Sequence, residues 1–111
     1  MVQVNVGGVP NVAMIVDSGA SCNVIDRKLL EELKQNKVKC VSMKSNKKLY
    51  PYGSVEPLQT AGCFVATVTV RNVSVEAEFT VIEGKGQALL ERETATQLNV
   101  FTLERKLELM L

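Results

Sequence analysis

A chain of 111 residues with 46% apolar content has room for one compact domain and none for a second. Its formal net charge is +1, its charged residues (23%) mix both signs, and it has two Tyr, three Phe and no Trp, so nucleic-acid binding by this domain is not expected. Histidine is absent, which removes Ser-His-Asp and Cys-His catalysis and His-ligated zinc, and no apolar run approaches the roughly 20 residues that span a bilayer.

Val2, Val4 and Val6 alternate with polar residues, Gly7-Gly8 supplies a tight turn, and Val9 to Val16 resumes as an apolar strand ending at Asp17. The strand starts directly after Met1, with no basic-then-apolar leader, as it would in a soluble domain excised from a longer polyprotein. Asp26 is placed to cap a short helix from Arg27 to about Gln35, with Leu29, Leu30 and Leu33 on one face and Glu31, Glu32 and Lys34 facing water. Val38 to Met43 reads as a strand and is followed by a polar stretch containing Tyr50-Pro51-Tyr52-Gly53. Phe64 to Val70, a turn at Arg71-Asn72, and Val73 to Ile82 in strict period two predict a long hairpin, which Gly84-Lys85-Gly86 ends. Ala88-Leu89-Leu90 reads as a short strand running into a helix over Glu91 to Leu98 that stops at Asn99, with a terminal strand near Val100 to Leu103. The sum is mostly antiparallel β with two short helices. Cys22, Cys40 and Cys63 are odd in number and lack CxxC spacing, which suits buried or idle reduced thiols in the cytosol.

With histidine gone, acid-base chemistry falls to carboxylates, Lys and Tyr, and the only aspartates are Asp17 and Asp26. An apolar strand that delivers Asp17-Ser18-Gly19-Ala20-Ser21 into a loop sets a carboxylate at a strand end, beside a hydroxyl and a residue that permits close backbone approach. Taken alone, the Asp-Ser-Gly triplet is more often a plain turn.

Its surroundings change that reading. Ile15-Val16-Asp17-Ser18-Gly19-Ala20-Ser21 resembles the active-site segment of retropepsin-like aspartic proteases of the retroviral and LTR-retrotransposon (Gypsy-like) type. Leu49-Tyr50-Pro51-Tyr52-Gly53-Ser54 resembles the flap hairpin of that family. Ala88-Leu89-Leu90-Glu91-Arg92-Glu93-Thr94-Ala95 resembles its hydrophobic-hydrophobic-Gly-Arg segment before the C-terminal helix. The resemblance spans roughly residues 2 to 103 and implies a closed all-β barrel of the retropepsin type with one or two short helices. It implies a protease domain over 1–103, with 104–111 as a C-terminal extension, and a homodimer in which each protomer contributes one Asp17. Two carboxylates about 3 Å apart cannot both ionise cheaply, so one is charged and activates a water while the other donates to the scissile carbonyl oxygen. No metal, cofactor or covalent intermediate is implied. Asp26 as the second catalytic group is the alternative to the dimer.

Further roles follow from the resemblance alone. Ser18 is to hydrogen-bond across the dimer axis, with Gly19, Ala20 and Ser21 in the loop that lines the cleft and binds substrate backbone. Tyr50, Pro51, Tyr52, Gly53 and Ser54 are to form the flap tip, although an exposed β-turn explains them almost as well. Leu90, Glu91 and Arg92 are to pack behind the catalytic loop, Arg92 either tied to loop carboxylates and the terminal strand or a surface cation at a helix end. Val100 to Leu103 is to form an intersubunit strand. The expected partners are a second copy and an extended peptide or polyprotein substrate, with no membrane or nucleic acid, in the cytoplasm or within retroelement particles.

Glu91 departs from the family pattern, which has Gly there. A carboxylate behind the loop must swing to solvent, pair with Arg92 or a lysine, or push the loops apart, since an unpaired buried one costs several kcal/mol. Two functions therefore compete: an aspartic endopeptidase that processes a retroelement polyprotein, and a catalytically impaired dimerisation or peptide-binding module on the same fold.

Overall fold

The computed structural model describes residues 1–43 and 60–100. In chain order its elements are β1 (Val2–Val6), β2 (Val9–Asp17), β3 (Asn23–Asp26), α1 (Arg27–Gln35), β4 (Val41–Met43), β5 (Thr60–Val70), β6 (Val73–Ile82), β7 (Leu89–Glu91) and α2 (Arg92–Gln97). The strands follow one another in the order β1-β2-β7-β3-β6-β5-β4, and β1 also pairs with β5. That extra pairing closes six strands into a barrel and leaves β4 as an outer strand on β5. The expected closed β-barrel with two short helices is therefore present.

The hairpins follow their turn chemistry. Gly7 and Gly8 both take positive φ (54° and 91°) between β1 and β2. A Cβ at Gly7 would collide with the Lys39 backbone, because Gly7 donates to the Thr67 carbonyl and accepts from the Lys39 amide. Arg71 turns the β5–β6 hairpin at φ 54°. Along β5, Phe64, Ala66 and Val68 point inward, and along β6 Ala77, Phe79 and Val81 do the same. Phe64 and Phe79 stack with ring centroids 5.1 Å apart. They meet Val4, Val6, Met14, Ile25, Leu33 and Leu90 in one core, where each fully buried large side chain contributes about 1.5–3 kcal/mol. Ile82, on the opposite face of β6, joins Cys22 and Val24 in a smaller cluster.

Asp26 caps α1 by accepting the Leu29 amide at 2.8 Å, and Leu33 of that helix is buried. The expected strand from Val38 starts three residues late. Lys37 takes φ 60° after the helix, and the amides of Val38 and Lys39 are spent on the carbonyls of Leu33 and Gly7. Pairing with β5 can begin only at Val41. Two pairings are parallel, β2–β7 and β3–β6, in a sheet expected to be mainly antiparallel. The cysteines are free, Cys22 and Cys63 buried and Cys40 exposed. Val100, expected to open a strand, is instead in helical conformation and fully buried. The rest of that segment, the 104–111 extension and the Tyr50 to Ser54 flap lie outside the described residues.

Candidate active site

β2 is apolar from Val12 to Val16, where it runs through the barrel wall, and it ends on Asp17, half-buried at the strand terminus. The backbone then reverses at once. The Ala20 amide donates to the Asp17 carbonyl at 3.1 Å, and the Gly19 amide donates to Asp17 Oδ1 at 2.9 Å. This is an Asx-type turn, in which the side chain itself accepts from the backbone two residues on. One carboxylate oxygen is thereby fixed, and Oδ2 accepts nothing from the described residues. Ser18, Gly19 and Ser21 are exposed, and Ala20 is half-buried. A Cβ on Gly19 would lie 3.4 Å from Asp17 Oδ1, an ordinary contact, so among the described residues nothing in the protomer requires glycine there.

The loop returns into β3, whose first residue, Asn23, is buried. Beside it runs β7, in parallel register with β2, so that Ile15 faces Leu89, Val16 faces Leu90 and Asp17 faces Glu91. Leu90 is fully buried and fixes β7 in the core. The structure thus brings Ser18 and Ala20 together with Glu91 and Arg92 around one open depression of about 550 Å³, lined also by Glu93, Thr96 and Gln97.

Among the described residues Glu91 is not paired with Arg92 or a lysine. It is half-buried, and its Oε1 accepts from the Thr94 hydroxyl at 3.1 Å. Its amide donates to Asn23 Oδ1 at 2.9 Å. Arg92 is exposed, and among the described residues the one ion pair is Arg27–Glu83, so Arg92 is neither Glu91's partner nor tied to the loop. Asn23 and Thr94, which hold Glu91, were not singled out by the sequence. The available signal was a polar residue, Asn23, set between Cys22 and Val24 in an apolar strand. Asp26 is committed elsewhere: Oδ1 caps α1 and Oδ2 lies 3.4 Å from the Gly86 amide.

The sequence matches the family model described as aspartyl protease over residues 2–90. The chain belongs to the aspartyl protease family. The fold of this aspartyl protease is similar to that of EIAV protease, in its structure complexed with the inhibitor HBY-793. The TM-score is 0.70 at 15% identity, covering 88% of this chain and 86% of that one. At that identity the likeness is one of fold, and it agrees with the retropepsin-like barrel read from the sequence. No curated protein matches the chain. Family membership supports a protease function, the hydrolysis of peptide bonds.

Proposed function

We propose that this aspartyl protease is an endopeptidase active as a homodimer, with Asp17 of each protomer facing the other across the axis and the substrate an extended peptide of a retroelement polyprotein. The observation that carries the reading is the state of Asp17: a carboxylate at a barrel-strand end, with one oxygen pinned by the Gly19 amide and the other unengaged by the described residues. A pinned carboxylate keeps its orientation through a proton transfer, and general acid-base catalysis needs that geometry before anything else. The only other aspartate of these 111 residues is held in a helix cap, which leaves this domain without a second catalytic aspartate of its own and favours a second copy as its source.

In that dimer the two carboxylates lie too close for both to be charged. The ionised one accepts a proton from a water held between them, and the protonated one donates to the carbonyl oxygen of the scissile bond. The resulting gem-diol collapses as the amine leaves with a proton. Ser18, exposed beside Asp17, is the residue placed to bridge the two loops, and Gly19, Ala20 and Ser21 form the floor against which the substrate backbone lies.

The test is cleavage of a diverse peptide pool at high protein concentration across about pH 4 to 7, with Asp17→Asn and Glu91→Gly in parallel. The expected result is cleavage by the parent and a loss on the order of a thousandfold or more in Asp17→Asn with the fold intact. A silent parent beside an active Glu91→Gly identifies a disabled copy. Silence in both, from folded dimers, favours the peptide-binding module, which the carboxylate in the family's glycine position supports.

A further inference from the structure

Asn23, Thr94 and Glu91 form a closed ring of hydrogen bonds. Asn23, 1% exposed, accepts the Glu91 amide on Oδ1 at 2.9 Å and donates from Nδ2 to Thr94 Oγ1 at 3.2 Å and to the Glu78 carbonyl at 3.0 Å. Thr94, 4% exposed, donates onward to Glu91 Oε1 at 3.1 Å. The direction of each bond is fixed, because a carboxylate only accepts and a hydroxyl has one proton to give. The Asn23–Thr94 bond is buried, and the two bonds from this pair to Glu91 are part-buried, which limits the competition from water.

The ring has a geometric consequence. Asp17 and Glu91 are in register on neighbouring strands, and residues so placed project from the same face of a sheet with their Cβ atoms about 5 Å apart. A free carboxylate on the two-methylene arm of Glu91 could reach the Asp17 side chain. The clasp draws it to the first turn of α2 instead. The other charged groups beside it, Arg92 and Glu93, are exposed on α2, and neither is bonded to it.

We propose that Asn23 and Thr94 are positioning residues that hold the Glu91 carboxylate over α2 and away from Asp17, so that a chain with Glu where its family has Gly keeps a two-carboxylate centre. This rests on the aspartic-protease reading and adds to it the means by which Glu91 is tolerated. A released carboxylate about 5–6 Å from the reacting pair would act as a third negative charge, an interaction large enough to change rates about tenfold in a partly desolvated site.

The experiment is an epistasis measurement on Thr94→Val, which keeps the shape of a buried side chain and removes its hydroxyl. The expected result is a loss of about tenfold in kcat/KM for Thr94→Val, a loss of less than about twofold for Thr94→Ser, and recovery to within about twofold of the parent in Thr94→Val/Glu91→Gln. A merely structural threonine would cost the same with or without the Glu91 charge. Full activity in Thr94→Val, or a loss that persists beside Glu91→Gln, overturns the proposal. Asp17→Asn, run alongside, reports separately on the protease reading. Should the parent not cleave, crystal structures of the parent and Thr94→Val decide. Movement of the Glu91 carboxylate from α2 towards Asp17 in the variant supports the clasp, and an unchanged carboxylate overturns it.

Discussion

Two aspartates, nine residues apart, have opposite tasks, and their environments say which is which. Asp26 spends both oxygens on backbone amides at the start of α1 and near Gly86. Asp26→Asn keeps a competent cap, whereas Asp26→Ala should cost about 1 kcal/mol in denaturant unfolding. Both should retain turnover when assayed folded. Asp17→Asn should do the reverse, leaving the denaturation midpoint near that of the parent and abolishing cleavage. In the core, Phe79 is fully buried and stacked on Phe64, so Phe79→Ala should lose about 3–5 kcal/mol, measured by urea titration. The Asp17 turn and the Asp26 cap were legible from residue type and order, since both depend on local hydrogen bonding within a few positions. The ring around Glu91 was not. Asn23 and Thr94 are 71 residues apart, and no local pattern announces a contact that only the packing of β3 against β7 creates.

At the scale of elements, period-two alternation was enough to find the β1–β2 and β5–β6 hairpins, and leucine spacing enough to find α1. It missed the late start of β4, because the competing partners of Val38 and Lys39 come from α1 and from the Gly7 turn. It also gave no hint of the two parallel pairings, β2–β7, made where β7 inserts beside β2, and β3–β6, made where β3 lies along β6. Gly7 holds this region together, and Gly7→Ala should destabilise the barrel strongly, because it adds a backbone collision to an unfavourable φ. The link from α1 to the sheet at Arg27–Glu83 is a weaker one. The guanidinium holds the Glu83 carboxyl below its ordinary value of 4.5, and Glu83 holds Arg27 above its own. A lowered carboxylate stabilises the fold above its ordinary value and loses that contribution as pH falls through the folded one. Glu83→Gln should therefore lower Tm slightly at pH 7, by no more than about 2 °C given the exposure of both side chains, with the difference vanishing in acid and in high salt.

For the molecule as a whole, the proposed dimer makes activity a property of concentration. Specific activity should rise with protein concentration and level off as sedimentation shows the dimer filling, while a variant with the Asp17 pair split between two chains, one wild-type and one Asp17→Asn, should be inactive. The closed barrel was legible only through the family resemblance, because the strand pattern by itself does not say that β1 meets β5 edge to edge. The closing contacts are Asn5 with Thr69 and Val6 with Val68, more than sixty residues apart along the chain. A ribosome making this domain finishes β1 early and cannot offer it that second partner until β5 has emerged. The β1–β2 hairpin must wait with one edge open while the β5–β6 hairpin, local in sequence, forms quickly. Refolding should accordingly be slow for a domain of this size, in the millisecond-to-second range of non-local β topologies, and the exposed strand edge makes that interval the one in which aggregation competes.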